Sequence, residues 1–146
     1  MDIELKIEKI LIIGLGLIGA SFAKALRTID DFEIYGIDRD EDNLKYCLQN
    51  NIIDFTADEM DISDIDLVIV SVPVDKIPVI VDDVLYKIKN TGIVIDTGST
   101  KSNICKILKN HPNRKNFIAS HPIAGTEYSG PTAAIENLFV GKKNSL

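Results

Sequence analysis

Residues 120–130 read SHPIAGTEYSG, with His121 placed directly after the apolar run NFIA and followed by a proline and two glycines. A histidine there has two possible uses: satisfying backbone groups of the loop, or exchanging protons with a ligand near neutral pH. Pro122 and Gly125 suit a fixed backbone shape, while Thr126, Glu127, Tyr128 and Ser129 offer polar groups around a small cavity. A second His-Pro pair, His111-Pro112, serves as an internal control. It lies in KNHPNRKN, a polar turn after a helical pattern, where a surface position is expected.

A different chemistry is spelled by Gly14-Leu15-Gly16-Leu17-Ile18-Gly19. After a strand and at the opening of a helix, the first glycine makes the tight turn and the second admits a pyrophosphate. The third lets helix and strand pack closely. The free N–H groups of the first helical turn, around Leu17 and Ile18, add partial positive charge for phosphates. An acid, Asp38, follows nineteen residues after Gly19 and ends a second apolar run. Its carboxylate can accept bonds from a ribose 2′-hydroxyl and would repel a 2′-phosphate, which favours NAD. Arg39, next to it, could accommodate that phosphate or simply lie in a solvated turn.

The elements that must position these residues alternate. KILIIG (9–14) is a continuous apolar run, as in a strand buried on both faces. A helix is predicted from Leu17 to about Thr28, with Ile18, Phe22, Ala25, Leu26 and Ile29 on its apolar side. EIYGID (33–38) follows, then a helix capped by Asp40 that presents Leu44, Cys47 and Leu48, and a short strand over 53–56. DLVIVSV (66–72) is the clearest buried strand. Asp75 is placed to cap the next helix, with Pro78 in its first turn and Ile77, Ile80, Val81, Val84, Leu85 and Ile88 facing inward. A strand over 93–96, a short helix carrying Ile104, Ile107 and Leu108, and a strand over 116–120 complete the series. Strands alternating with helices of this length predict right-handed crossovers: an α/β, doubly wound, mostly parallel sheet of the Rossmann type.

In such a sheet ligands bind outside the carboxyl ends of the strands. With strand order 3-2-1-4-5-6, that edge collects the glycine turn, Asp38, then Ser71-Val72-Pro73, then Asp96-Thr97-Gly98-Ser99-Thr100, and last Ser120-His121. Ser71, Val72, Pro73 and Thr97 are expected to line the cofactor. His121 and Ser99 fall towards its nicotinamide end.

The 146 residues suffice for one domain with a real core and show no internal boundary or repeat. A net charge of −6, with lysines scattered among acids, argues against a nucleic-acid surface. The eleven-residue run ILIIGLGLIGA is too short for a bilayer, and MDIELKIEKI does not resemble a signal peptide, so a cytoplasmic protein is expected. Cys47 and Cys105 fall in helical segments without metal-ligand spacing, so free thiols and no metal site are expected.

Taken together, GLGLIGAS (14–21), DTGSTKSNI (96–104) and SHPIAGTEYSGPTAA (120–134) followed by LFVGKK (138–143) resemble the prephenate dehydrogenase family. The resemblance covers essentially the whole chain, as that family's N-terminal nucleotide-binding domain. It implies NAD-dependent oxidative decarboxylation of prephenate to 4-hydroxyphenylpyruvate on the route to tyrosine. It also implies His121 as the catalytic histidine and Ser99 as the active-site serine, with Gly125, Thr126 and Glu127 shaping the substrate pocket. Glu127 reads equally well as a solvated loop acid, and Lys101 as a first-turn helix lysine. A second, mostly helical domain that forms a homodimer and grips the substrate carboxylates is implied beyond this chain. Residues 1–146 alone are therefore expected to bind NAD but to turn prephenate over poorly. Three rivals stay open: an arogenate dehydrogenase, a hydroxyacid dehydrogenase or imine reductase, and a non-catalytic NAD-sensing module that needs neither Ser99 nor His121.

Overall fold

The computed structural model describes residues 6–99, 101–122, 131 and 144–145. Alternating strands and helices run β1 (Lys9–Ile13), α1 (Leu17–Arg27), β2 (Glu33–Ile37), α2 (Glu41–Gln49), β3 (Phe55–Thr56) and β4 (Leu67–Val70). They continue with α3 (Ile77–Lys87), β5 (Ile93–Asp96), α4 (Ser102–Leu108) and β6 (Phe117–Ile118). These six strands form one parallel sheet in the order β3-β2-β1-β4-β5-β6, as expected from the alternation. Beyond it, β7 (His121–Pro122) pairs antiparallel with β8 (Asn144–Ser145).

The pleat divides each strand's side chains between two layers. On β1, Ile10 and Ile12 pack with Ala20, Ala23 and Cys47 of α1 and α2, whereas Leu11 and Ile13 pack with Val81, Leu85 and Ile104 of α3 and α4. Ile10, Leu11 and Ile12 are all fully buried, each worth about 1.5–3 kcal/mol relative to exposure. That double burial explains the unbroken apolar run of β1.

Several boundaries differ from expectation. The buried face of α1 is made of small residues, Gly19, Ala20, Ser21 and Ala23, with Phe22 and Leu26 only partly covered at its flank. Ile29 lies beyond the helix and is 70% exposed, because the chain turns outward at Thr28. Asp40 caps α2 as expected, accepting the Asp42 N–H at 2.9 Å. Asp75 does not cap α3: Lys76 holds that position without a side-chain bond, and Pro78 in the first turn supplies the preset backbone. On α4, Ile104 and Leu108 are buried but Ile107, one position off that stripe, is 52% exposed. The strand expected over 116–120 contracts to β6. Asn116 ends a short 3-10 turn instead, and its amide donates to the carbonyls of Asn90 and Gly92.

His111 corrects the surface reading. Its side chain is only 2% exposed and packs against Tyr86, with the ring centres 4.3 Å apart and the planes tilted by 46°. Nδ1 accepts the Asn113 N–H at 3.0 Å, and Nε2 lies 3.3 Å from the Asp82 carbonyl oxygen. A polar sequence neighbourhood concealed it, because the groups that cover it come from α3.

The edge of the sheet away from the strand carboxyl ends is tied by Asp66, just before β4. Its Oδ2 accepts the N–H groups of Glu8 and Lys9 at 2.8 and 2.9 Å, and Oδ1 pairs with the Lys89 ammonium. Burial pushes this carboxyl upward, but Lys89 and the two N–H groups outweigh it, so it sits below its ordinary value of 3.8. The unfolded chain then binds more protons across the window between the two values, and the stabilisation is complete above the unfolded value. It disappears as pH falls through the depressed folded value. Asp66→Asn is expected to cost about 1–3 kcal/mol at neutral pH, by denaturant unfolding, with the difference from wild type closing in acid. A gap that persists in strong acid would refute the electrostatic origin.

Candidate functional site

All six parallel strands present their carboxyl ends to one edge, and a chain of contacts crosses it. At the first turn Gly14 has φ +97°, a conformation open to glycine, and a Cβ there would run into the Ser71 carbonyl after β4. Gly14 N–H donates to the Ile37 carbonyl at 2.8 Å, joining this turn to the end of β2. At Gly19 a Cβ would collide with the Gly14 carbonyl, so helix and turn meet backbone to backbone. At Gly16 a Cβ would meet nothing within 4 Å among the described residues.

That contrast tests whether the turn suits a dinucleotide. The outer glycines are demanded by the protein's own packing, whereas Gly16 borders open space at the N-terminus of α1. Its N-cap residue, Gly16, makes no side-chain cap bond and no acid lies in its first turn, in contrast to α2 with Asp40, Glu41 and Asp42. Its first N–H groups have no intrahelical acceptor, as at any helix start, and the half-buried Leu17 and Ile18 lie within this turn. The residues present fit a pyrophosphate.

Asp38 is brought to the same turn. Its Oδ2 accepts the Leu15 N–H at 2.7 Å and Oδ1 the Asp40 N–H at 2.8 Å. Each oxygen retains a lone pair for a further donor, as a ribose hydroxyl would be. Arg39 is exposed beside it. On the other side of the turn, Thr97 Oγ1 donates to Ser71 Oγ at 3.1 Å, linking the ends of β5 and β4. Val72 packs half-buried against the α3–α4 layer, and Pro73 is exposed.

Asp96, the last residue of β5, is 1% exposed and was not singled out by sequence reasoning. Its Oδ2 accepts the Gly98 N–H at 3.1 Å and pairs with the Lys101 ammonium; its Oδ1 accepts the Ser120 N–H at 3.1 Å. Lys101 is thus the counter-ion of a buried acid rather than a solvated first-turn lysine. The signal was present: in IVID, Asp96 falls in phase with buried Val94, and a lysine follows five residues later. Ser99 is exposed in the turn between β5 and α4. His121 begins β7, three residues past the end of β6 rather than at a strand's last position. Gly125, Thr126 and Glu127 lie outside the described residues.

Among the described residues no three His, Cys, Asp or Glu side chains group as metal ligands, and no helix is long and apolar enough to cross a membrane. Both cysteines are free. Burial first, then nearby Asp38, pushes the Cys47 thiol up to about 11. An alkylating reagent at neutral pH is expected to modify half-buried Cys105 while sparing Cys47 until the chain unfolds, as peptide mass mapping would report. Early modification of Cys47 would contradict its burial.

Comparison with known proteins bears on this edge. Residues 22–146 match the family described as "Prephenate dehydrogenase, nucleotide-binding domain". The cyclohexadienyl dehydrogenase of Zymomonas mobilis is 34% identical over 135 residues, which make up 90% of this chain and 46% of that protein. Among solved structures, prephenate dehydrogenase from A. aeolicus in complex with hydroxyphenyl propionate and NAD+ superimposes with TM-score 0.84 at 34% identity. The match covers 96% of this chain and 50% of that one. Synechocystis arogenate dehydrogenase superimposes with TM-score 0.82 at 28% identity, over 93% of this chain and 48% of that one. The chain spans less than half the length of the curated relatives it matches. With a glycine turn whose outer glycines are packed and whose Gly16 is open among the described residues, an acid held against it, and a family match over most of its length, the chain belongs to the prephenate dehydrogenase nucleotide-binding domain family.

Proposed function

We propose that this chain is the NAD-binding part of a prephenate dehydrogenase, which converts prephenate to 4-hydroxyphenylpyruvate by oxidative decarboxylation. The observation that carries the reading is the shared carboxyl edge of the sheet. Glycine turn, Asp38, the Ser71–Thr97 pair and the turn bearing Ser99 all belong to it, and the chain entering His121 is bonded to it through Ser120.

In this reading Gly14, Gly16 and Gly19 with the first turn of α1 hold the pyrophosphate, and Asp38 accepts from the ribose hydroxyls and disfavours a 2′-phosphate. Ser71, Val72, Pro73 and Thr97 border the cofactor further along. NAD, when bound, supplies the hydride acceptor. His121, as neutral imidazole, takes the proton of the ring hydroxyl as that carbon is oxidised. Ser99 holds the same hydroxyl or orients the imidazole, and Gly125, Thr126 and Glu127 shape the pocket. The ring carboxylate then leaves as carbon dioxide without a metal, because the new ketone accepts the electrons and the ring becomes aromatic. A further, mostly helical part of the protein grips the substrate carboxylates and forms a homodimer. The free thiols Cys47 and Cys105 accord with a cytoplasmic, reducing setting.

Similarity to an arogenate dehydrogenase at nearly the same TM-score makes the amino-acid form of the substrate the second reading. The test follows NADH absorbance in the full-length protein with NAD and prephenate, and with arogenate in parallel. NADH from prephenate is the expected result. A preference for arogenate moves only the substrate. Silence with both, from folded protein that binds NAD, overturns the reaction.

A further inference from the structure

Proton transfer as proposed above needs His121 and Ser99 in one fixed arrangement, although neither lies within the parallel sheet. The pairing of β5 with β6 ends at Ile95 and Ile118. Beyond that point the carboxylate of Asp96 carries the connection. It holds the N–H of Gly98, the residue before Ser99, and the N–H of Ser120, the residue before His121. The Lys101 ammonium balances its charge in a site where an unpaired carboxylate could not be buried. Gly98 is itself wedged here: a Cβ on it would lie 2.8 Å from Ile77 Cδ1 and 3.1 Å from Asp96 Oδ2.

We propose that Asp96 is a positioning residue, clasping the Ser99 turn and the entry to His121 in one register so that hydroxyl and imidazole meet the same substrate atom. This rests on the reading of His121 as the base. The molecule contains its own control. Asp66 is a matching device, a buried carboxylate accepting two backbone N–H groups and one lysine ammonium, at the opposite edge of the sheet from the proposed chemistry. A purely structural Asp96 should therefore behave as Asp66 does.

Asp96→Asn and Asp66→Asn are compared in the full-length protein, with His121→Asn as the reference for lost chemistry. Stability is followed by denaturant unfolding, NAD sites are counted by titration, and kcat per site is separated from KM. Both aspartate variants should lose stability. Asp66→Asn should keep its kcat per NAD site, whereas Asp96→Asn should lose about 10²-fold in kcat with NAD affinity retained, the cost of a misplaced reacting group. Equal kcat per site in the two variants would overturn the clasp while leaving the role of His121 standing. Full turnover by His121→Asn would instead overturn the reading on which the clasp rests. Should Asp96→Asn not fold, Asp96→Glu keeps the charge but displaces the oxygens by a methylene, and the same loss of kcat is expected of it.

Discussion

Gly19→Ala is expected to destabilise the domain by about 3 kcal/mol, the upper range for forcing atoms into a packed interior, and to abolish dinucleotide binding with it. The added Cβ would collide with the Gly14 carbonyl oxygen and lie 3.0 Å from its carbon, which are backbone atoms of the turn itself. No flexible side chain can yield. To admit the methyl group, α1 must retreat from β1, which pulls the first-turn N–H groups from the phosphate position and loosens the contact of Gly14 with Ser71. Gly16→Ala is the companion. Its Cβ enters open space and its φ of −77° is acceptable to alanine, so stability should change by no more than about 0.5 kcal/mol. Binding of NADH, followed by fluorescence titration, should nevertheless fall at least about tenfold, a loss of roughly 1.4 kcal/mol. Unchanged binding in Gly16→Ala would remove the pyrophosphate from this turn, and an unchanged denaturation midpoint in Gly19→Ala would show that helix and strand can separate freely.

His121→Asn should lower kcat by about 10²- to 10⁴-fold, the usual worth of a positioned proton acceptor, without weakening NAD binding. Asparagine can still satisfy backbone groups of a loop but cannot serve as a base at neutral pH. The variant therefore separates the two uses of a histidine at this position. It also separates an enzyme from a ligand-sensing domain, which would keep its response to NAD. Turnover close to wild type in the full-length protein would return His121 to a loop-satisfying role.

What was legible in the residues follows from local rules. Continuous apolar runs such as Ile10–Ile13 identify strands buried on both faces, because a parallel sheet covered by helices gives neither face to water. The glycine spacing at 14, 16 and 19, the acid at 38 and the Asp40 cap are short-range patterns whose physics acts within a turn or one crossover. The usual order of a doubly wound sheet, 3-2-1-4-5-6, grouped Asp38, Ser71, Thr97 and Ser99 on one edge, and the sheet has that order.

Other features were hidden because their partners are distant in sequence. His111 sits in a polar stretch, yet Asp82 and Tyr86 of α3 cover it. Ile107 and Ile29 share the apolar character of core residues but are exposed among the described residues, which only the tertiary arrangement decides. Asp66 is buried against the N–H groups of Glu8 and Lys9, and Asp96 against that of Ser120; these donors are distant in sequence, so the tie each acid makes could not be read from its own neighbours.

The sequence by itself determined the fold class, the glycine turn and the family, since periodicity, turn chemistry and motif spacing are written along the chain. The tertiary structure alone decided which carboxylates are buried and what they hold. An acid such as Asp96 is stable in the interior only when a cation and backbone donors converge on it, and that convergence exists only after β5, α4 and the segment following β6 have come together.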